Sequence, residues 1–181
     1  MIDITRSTRF KVKISEIDFK SIISESLENL RGLEGAHKIN LKTTIESYLP
    51  FFSDSQQLQV IFNNIISNAI KYQHVHEQNP ALDIHIEVDS EKATMTFKDN
   101  GIGISKENLN KVFDMFFLSP GVKADGAGLG LYIVKEIVRK LKGRILVSSK
   151  VNEGSSFKVE LPNKIDPDLL RKLTKMVQNS K

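Results

Sequence analysis

Apolar and polar residues recur with two different periods along the chain, and these periods predict helices and strands. Apolar residues at helical spacing predict helices over residues 19–30, 54–72 and 131–141, and a shorter one near residues 106–112. Strict alternation predicts six strands, over residues 10–14, 39–45, 84–88, 93–97, 145–147 and 157–161. This order predicts an α+β fold, a two-layer sandwich with three main helices on one face of a mixed sheet. The polar alternate positions predict that the other face meets water or a partner.

The helix predicted over residues 54–72 carries a row of amides beside its apolar stripe. At roughly 100° per residue, Asn64, Asn68 and Lys71 fall within about 60° of one another at the margin of that stripe. Asparagine is a poor helix former, and a single surface asparagine is usually a solvated side chain. This ordered set, followed by Tyr72 and by two glycine-rich loops, predicts a binding site instead.

The two glycine-rich loops predict a cradle for phosphate. Residues 99–104 read DNGIGI, and residues 126–131 read GAGLGL directly ahead of a predicted helix, where amide groups and the helix dipole favour an anion. Neither loop has the spacing of the dinucleotide motif or the lysine of the P-loop. Asp99 could accept a hydrogen bond from an exocyclic amine such as that of adenine. The two asparagines suit Mg²⁺ shared with phosphates, and Lys71 could neutralise a phosphate.

Composition and charge narrow the class of protein further. The chain has 181 residues, 40% of them hydrophobic, which suits a single domain. There is no cysteine, so disulfides and thiolate metal sites are excluded, and no apolar run approaches a membrane span. We therefore expect a soluble domain. Most of the net charge of +4 lies in residues 163–181, and no basic face interleaved with aromatic residues accompanies it, so we expect no nucleic acid partner.

Four motifs in order resemble those of the ATP-binding catalytic domain of histidine protein kinases, within the wider group of gyrase-type, chaperone-type and mismatch-repair ATPases. The matching segments are NIISNAIKY (64–72) for the N box, DNGIG (99–103) for the G1 box, FDMFF (113–117) for the F box and GAGLG (126–130) for the G2 box. The resemblance covers roughly residues 10–162. It implies the layered fold known as the Bergerat fold, a long lid over residues 105–125, and ATP with Mg²⁺ as ligands.

The resemblance also implies roles for individual residues. Asp99 would bind the adenine amine, Tyr72 would lie beside adenine and ribose, Asn64 and Asn68 would hold magnesium and phosphate, and Lys71 would contact phosphate. Phe113 and Phe116 would anchor the lid. The implied nucleotide site comprises Asn64, Asn68, Lys71, Tyr72, Asp99, Gly101, Gly103, Ile104, Phe113, Phe116, Gly126, Gly128, Leu129 and Gly130, and the implied metal ligands are Asn64 and Asn68.

Position 64 separates the branches of this group. Its hydrolysing members carry Glu there as a general base, whereas this chain has Asn64, whose amide cannot take a proton. Transfer to a histidine, which is nucleophilic when neutral, is therefore favoured over water activation. Leu118 and Ala127 stand where relatives often have Arg and Ser or Thr. These two residues leave open the alternative that the chain is a nucleotide-binding regulatory module without transfer activity. A gyrase-type or chaperone-type ATPase is the third alternative.

The phosphoacceptor of such a kinase lies outside these residues. None of the four histidines is followed by an acidic residue on a helical hairpin, so residues 1–9 are interpreted as the truncated end of that preceding hairpin. Residues 163–181 are predicted to form an amphipathic helical extension that starts at Asp166-Pro167. The implied partners are the phosphoacceptor hairpin domain of the same kinase and a response regulator receiver domain. We expect the domain to lie in the cytoplasm, in a parent protein that could be membrane-anchored. The fragment itself is expected to be monomeric and the parent homodimeric.

Overall fold

Four helices and seven strands make up the computed structural model, which describes residues 12–74, 79–118 and 127–178. The helices are α1 (Phe19–Leu30), α2 (Ser55–Lys71), α3 (Gly130–Lys140) and α4 (Pro167–Gln178). The strands are β1 (Ser15–Glu16), β2 (Asn40–Ser47), β3 (Phe52–Ser53), β4 (Ala81–Val88), β5 (Lys92–Asp99), β6 (Arg144–Lys150) and β7 (Gly154–Pro162). None of the helices within these residues is long and apolar enough to cross a bilayer.

The main sheet is mixed, as the sequence predicts. Its five strands follow the order β2-β4-β5-β7-β6, in which β2 and β4 are parallel and all other neighbours are antiparallel. The strand β1 instead pairs with β3 in a separate two-stranded sheet. The α+β prediction is therefore confirmed, with helices packed on one face of a mixed sheet.

The helix α2 lies at the centre of the helical layer, between α1 and α3. Its apolar stripe is fully buried because it faces both the sheet and the neighbouring helices. The ring of Phe62 meets that of Phe97 on β5 edge to face, with centroids 4.9 Å apart. Aspartates cap the first two helices: Asp18 accepts from the backbone of the first turn of α1, and Asp54 accepts from Gln57 N at 3.0 Å. This packing fixes α2 against the end of β5.

Two predicted elements are wrong in place or type. The strand predicted over residues 10–14 is only Ser15–Glu16, and Val12 and Ile14 are 38% and 44% exposed, because the strand joins β3 rather than the main sheet. Phe10 lies outside the described residues. The helix predicted near residues 106–112 is a series of turns whose hydrogen bonds alternate between i−3 and i−4 acceptors. Two asparagines in this segment favour such turns because their side chains compete for the backbone.

The sheet face opposite the helices holds a buried carboxylate. Glu160 on β7 has a side chain only 7% exposed and pairs with Lys92 at 2.9 Å, with Lys158 at 3.7 Å and with Arg144. Hydrogen bonds from Arg144 and Lys92 lower the pKa of this carboxyl to about 2, against the opposing effect of burial. The depressed pKa means that the ionised form stabilises the folded chain.

We expect Glu160→Gln to lower the free energy of unfolding by about 1.5–3 kcal/mol at neutral pH, the range for hydrogen bonds to charged groups. Because the folded-state pKa lies below the unfolded value, this contribution is present above about pH 4.5 and is lost as the pH falls toward 2. Urea denaturation at several pH values measures it. Glu153→Gln, at a largely exposed pair with Lys150, is the control and should cost under about 0.5 kcal/mol. Equal losses in the two variants would contradict the assignment.

Candidate functional site

A cavity of about 270 Å³ lies where α2, the loop after β5 and the start of α3 meet. The helix α2 supplies Asn64, Asn68 and Lys71 from the edge predicted above, and Tyr72 follows as its C-cap. The side chain of Asp99 enters from the end of β5, and Ser155 from the neighbouring strand β7. Side chains from three separate parts of the chain therefore line one cavity.

Close contact between α2 and α3 shapes one wall of the cavity. Asn64 Nδ2 donates to Val60 O at 2.8 Å, which fixes the amide, and its Oδ1 faces the first residue of α3. A Cβ at Gly130 would lie 2.8 Å from this oxygen, so a larger residue there would require the Asn64 amide to shift. No side chain among the described residues caps α3, so its first amide groups can serve a ligand.

Asp99 is held by two backbone amides. Its Oδ1 accepts from Gly101 N at 2.8 Å and from Ser155 N at 3.2 Å. Burial raises the pKa of this carboxyl, while the same backbone hydrogen bonds act in the opposite direction. The carboxylate is therefore a fixed acceptor in a partly desolvated position, which suits recognition of a ligand donor.

The loop after β5 rests on the C-terminal end of α2. Ile102 N donates to Tyr72 O at 3.0 Å, and a Cβ at Gly101 would lie 2.4 Å from the same carbonyl oxygen. Burial raises the pKa of the Tyr72 hydroxyl. Gly101 therefore has a packing role beneath the cavity, and it is not among the residues that line it.

Ser149 links three segments around the site. Its hydroxyl accepts from Ile104 N at 2.8 Å, donates to Gly154 O at 2.7 Å and lies 3.0 Å from Ser155 Oγ. Ser155 in turn donates its N–H to Asp99. One hydroxyl thus connects the loop after β5 to the turn that positions the amide beside Asp99.

The predicted lid residues have different surroundings. Phe113 is partly buried and packs against the core, consistent with an anchor. Phe116 is 63% exposed and does not line the cavity, although its N–H donates to Gly128 O at 3.0 Å. Its neighbours Phe117 and Leu118 line the cavity instead.

Most of the predicted site residues line the cavity together. Those that do are Asn64, Asn68, Lys71, Tyr72, Asp99, Gly103, Ile104, Gly128, Leu129 and Gly130. Gly126 lies outside the described residues. The prediction missed Ser67, Ile102, Val112, Phe117, Leu118, Ala127, Leu131, Ile133, Ser155 and Phe157. Several of these residues adjoin the recognised motifs, and this proximity in sequence is the signal that could have found them. Ser155 and Phe157 instead reach the cavity because β7 pairs with β5.

Comparison with known proteins gives a consistent picture. Residues 53–165 match the family model described as "Histidine kinase-, DNA gyrase B-, and HSP90-like ATPase". The chain is 34% identical over 163 residues to the sensor histidine kinase AtsR of Burkholderia thailandensis, and 30% identical over 168 residues to the aerobic respiration control sensor protein ArcB of Escherichia coli. Each alignment covers 87% of this chain.

A solved structure has the same architecture. The chain superposes on the mycobacterial sensor histidine kinase MprB with a TM-score of 0.69 at 25% identity, covering 86% of this chain and 100% of that one. The curated relatives are much longer than the matched region, because the chain spans only 27% of AtsR and 21% of ArcB. The similarity therefore concerns one domain of those proteins.

Proposed function

The chain belongs to the family of histidine kinase-, DNA gyrase B- and HSP90-like ATPases, and we propose that it is the ATP-binding catalytic domain of a sensor histidine kinase. In this proposal it binds Mg²⁺-ATP and transfers the γ-phosphoryl group to a histidine on the hairpin domain of the same kinase, for relay to a response regulator receiver domain. The observation that carries it is the single cavity that brings together the amide edge of α2, Asp99 and the uncapped start of α3.

The cavity offers complementary groups at its two ends. Asp99, held by Gly101 N and Ser155 N, would accept from the adenine amine, with Tyr72 beside the base. At the other end the α3 N-terminus and Lys71 would take the phosphates. Such an arrangement orients the nucleotide along α2.

The donor set at the phosphate end fits a magnesium ion. Asn64 and Asn68 are one helical turn apart, both line the cavity, and amide oxygens are hard ligands of the kind Mg²⁺ prefers. We propose that these two residues hold the ion together with phosphate oxygens. The bound ion would supply charge neutralisation on the phosphates.

Asn64 favours phosphoryl transfer over hydrolysis in this site. Its Nδ2 is committed to Val60 O and its amide cannot accept a proton, so it cannot activate water as a carboxylate would. A neutral imidazole attacks through its lone pair, forming the N–P bond as the bond to the ADP oxygen breaks. No proton must be removed before this attack, so positioning and charge neutralisation can carry the catalysis.

The proposal is tested with the chain and a separate hairpin domain that carries the acceptor histidine. We expect calorimetry to show Mg²⁺-dependent ATP binding, and the supplied hairpin to acquire acid-labile phosphate in trans. A chain that binds no ATP would refute the proposal. Steady phosphate release by the isolated chain would favour a gyrase-type or chaperone-type ATPase instead.

A second candidate is a regulatory module that binds nucleotide without transferring phosphate. Leu118 and Ala127 favour it, because both line the cavity and neither can make a charged or hydroxyl contact with phosphate. ATP binding without phosphohistidine in the full-length parent would support this candidate.

The surrounding assembly is part of the same proposal. We propose residues 10–162 as the catalytic domain, residues 1–9 as the end of the preceding hairpin and residues 163–181 as a helical extension, within which α4 is capped by Asp166. The fragment would be monomeric in the cytoplasm, and the parent a homodimer joined through the hairpin.

We expect Ser149→Ala to weaken ATP binding about 5- to 30-fold, which corresponds to about 1–2 kcal/mol of binding free energy. The reason is that Ile104 N loses its acceptor and that Ser155, which supports Asp99, loses its contact with the Ser149 hydroxyl. Ser148→Ala, which changes the neighbouring exposed residue on β6, is the matched control and should leave the affinity unchanged. Calorimetric titration with ATP compares the two. Equal affinities for Ser149→Ala and the parent chain would exclude the positioning role.

A further inference from the structure

The sheet face opposite the helices carries a second cluster of polar side chains, none of which lines the nucleotide cavity. Glu46 on β2 lies beside His85 and Glu87 on β4, and one ligand atom from each residue lies within 4.8 Å of the others. The His85 Nε2 and Glu87 Oε1 atoms are 3.4 Å apart. An imidazole and two carboxylates are thus gathered at one point of the sheet.

Strand pairing places these three side chains together. In the parallel pairing of β2 with β4, Glu46 lies directly opposite Glu87. His85 precedes Glu87 by two positions and therefore projects from the same face of the strand. Backbone hydrogen bonds of the sheet fix all three Cα positions, so only side-chain rotation is needed to gather the ligand atoms around an ion.

The cluster lacks the cations that accompany the other carboxylate on this face. Like charges directly opposite one another destabilise a sheet. Glu160 is surrounded by Arg144, Lys92 and Lys158. Among the ion pairs of the described residues, by contrast, Glu87 is paired with His85 alone.

The positions of β5 directly opposite the cluster carry no cation either, and Lys92 of that strand pairs with Glu160. On the other side of β4, the strand β5 presents Thr96 opposite His85 and Thr94 opposite Glu87. The two carboxylates therefore face each other beside an imidazole, an arrangement that a divalent cation would stabilise.

We propose that Glu46, His85 and Glu87 form a surface Zn²⁺ site. Zinc accepts imidazole nitrogen and carboxylate oxygen, at about 2.0–2.2 Å, and three protein ligands leave a fourth position for water. Magnesium prefers oxygen ligands alone, so the imidazole discriminates against the ion proposed for the nucleotide cavity. The side chains of His85 and Glu87 are 39% and 59% exposed, so an ion can reach them from solvent. Bound zinc would tie the edge strand β2 to β4.

The experiment titrates the chelator-treated chain with ZnCl₂ by calorimetry in the presence of excess MgCl₂ and without nucleotide. We expect one equivalent of zinc to bind and to raise the thermal unfolding midpoint. His85→Gln should abolish that equivalent, and Glu46→Gln should weaken it at least tenfold. His37→Gln, which changes an exposed histidine elsewhere, is the matched control and should bind like the parent chain.

A second measurement identifies the ligand. Co²⁺ substituted for zinc should give visible absorption bands that His85→Gln abolishes and His37→Gln retains, while circular dichroism verifies that both variants are folded. Unchanged zinc binding in His85→Gln would overturn the proposal. So would loss of the equivalent in His74→Gln, because the ion would then lie near that histidine instead. Absence of zinc binding by the parent chain would overturn it as well.

Discussion

Asp99→Asn is expected to reduce ATP affinity at least about 100-fold, equivalent to about 2.7 kcal/mol. The asparagine oxygen can still accept from Gly101 N and Ser155 N, so the local backbone is preserved. Its Nδ2 then presents a donor to the adenine amine, which is itself a donor. Two facing donors leave both groups without an acceptor in a partly desolvated cavity, and unpaired donors in such a place lower the affinity for ATP strongly. Calorimetric titration with ATP measures the loss.

The stability of the variant separates loss of recognition from loss of fold. Because burial raises the pKa of Asp99, the folded chain binds this proton more tightly than the unfolded chain does. The folded state therefore gains stability as the pH falls through that raised value, and the ionised carboxylate is unfavourable at neutral pH. Asp99→Asn should leave the unfolding midpoint at neutral pH equal or higher.

The matched control for this variant is Asp83→Asn, an exposed aspartate on β4 that lies outside the cavity. It should bind ATP like the parent chain. If Asp99→Asn also binds ATP normally, Asp99 does not recognise the base and the proposed orientation of the nucleotide is wrong.

Asn64→Ala is expected to lower the rate of phosphoryl transfer to a supplied hairpin by about 100- to 1,000-fold, a range typical for the loss of one group that stabilises transition-state charge. The variant removes the oxygen that faces the start of α3 and, in the proposal, one of two magnesium ligands. Affinity for ATP should fall much less, because Asp99 and the α3 N-terminus remain. Single-turnover kinetics with labelled ATP measures transfer apart from binding.

The control for this prediction is the adjacent residue. Asn63 has the same chemistry, but its Oδ1 accepts from Gln59 Nε2 at 3.2 Å and it does not line the cavity. Asn63→Ala should therefore transfer phosphate at a rate close to that of the parent chain. Equal losses in both variants would indicate a general effect on α2 and would contradict a direct role for Asn64.

Local features of the chain made α2 and its amide edge predictable. The apolar period of α2 is long and regular, Asp54 is a strong cap, and the glycine loops have a distinctive spacing. Together they predict that Asn64, Asn68 and Asp99 surround one site. The close approach of Gly130 to Asn64 involves the same segments, since it is a contact between α2 and α3.

Features that depend on non-local pairing could not be predicted in this way. Ser149 and Ser155 support Asp99 only because β7 lies between β5 and β6 in the sheet, and strand order has no local signature. The first strand was misplaced for a related reason: alternation does not reveal whether a strand joins the main sheet or the short β3. Phe116, which the resemblance implies as an anchor of the lid, has a positive φ and an exposed side chain.

The parallel pairing of β2 with β4 also bears on the order of folding. Each antiparallel hairpin, β4–β5 and β6–β7, is closed by a turn of a few residues and can form early. The strand β2 pairs only with β4, and the whole of α2 lies between them in the chain. The entropy of closing that long loop must be lost before any hydrogen bond of β2 compensates it. The edge strand and the pairing of β5 with β7 are therefore the two non-local contacts that limit how soon the complete sheet can assemble.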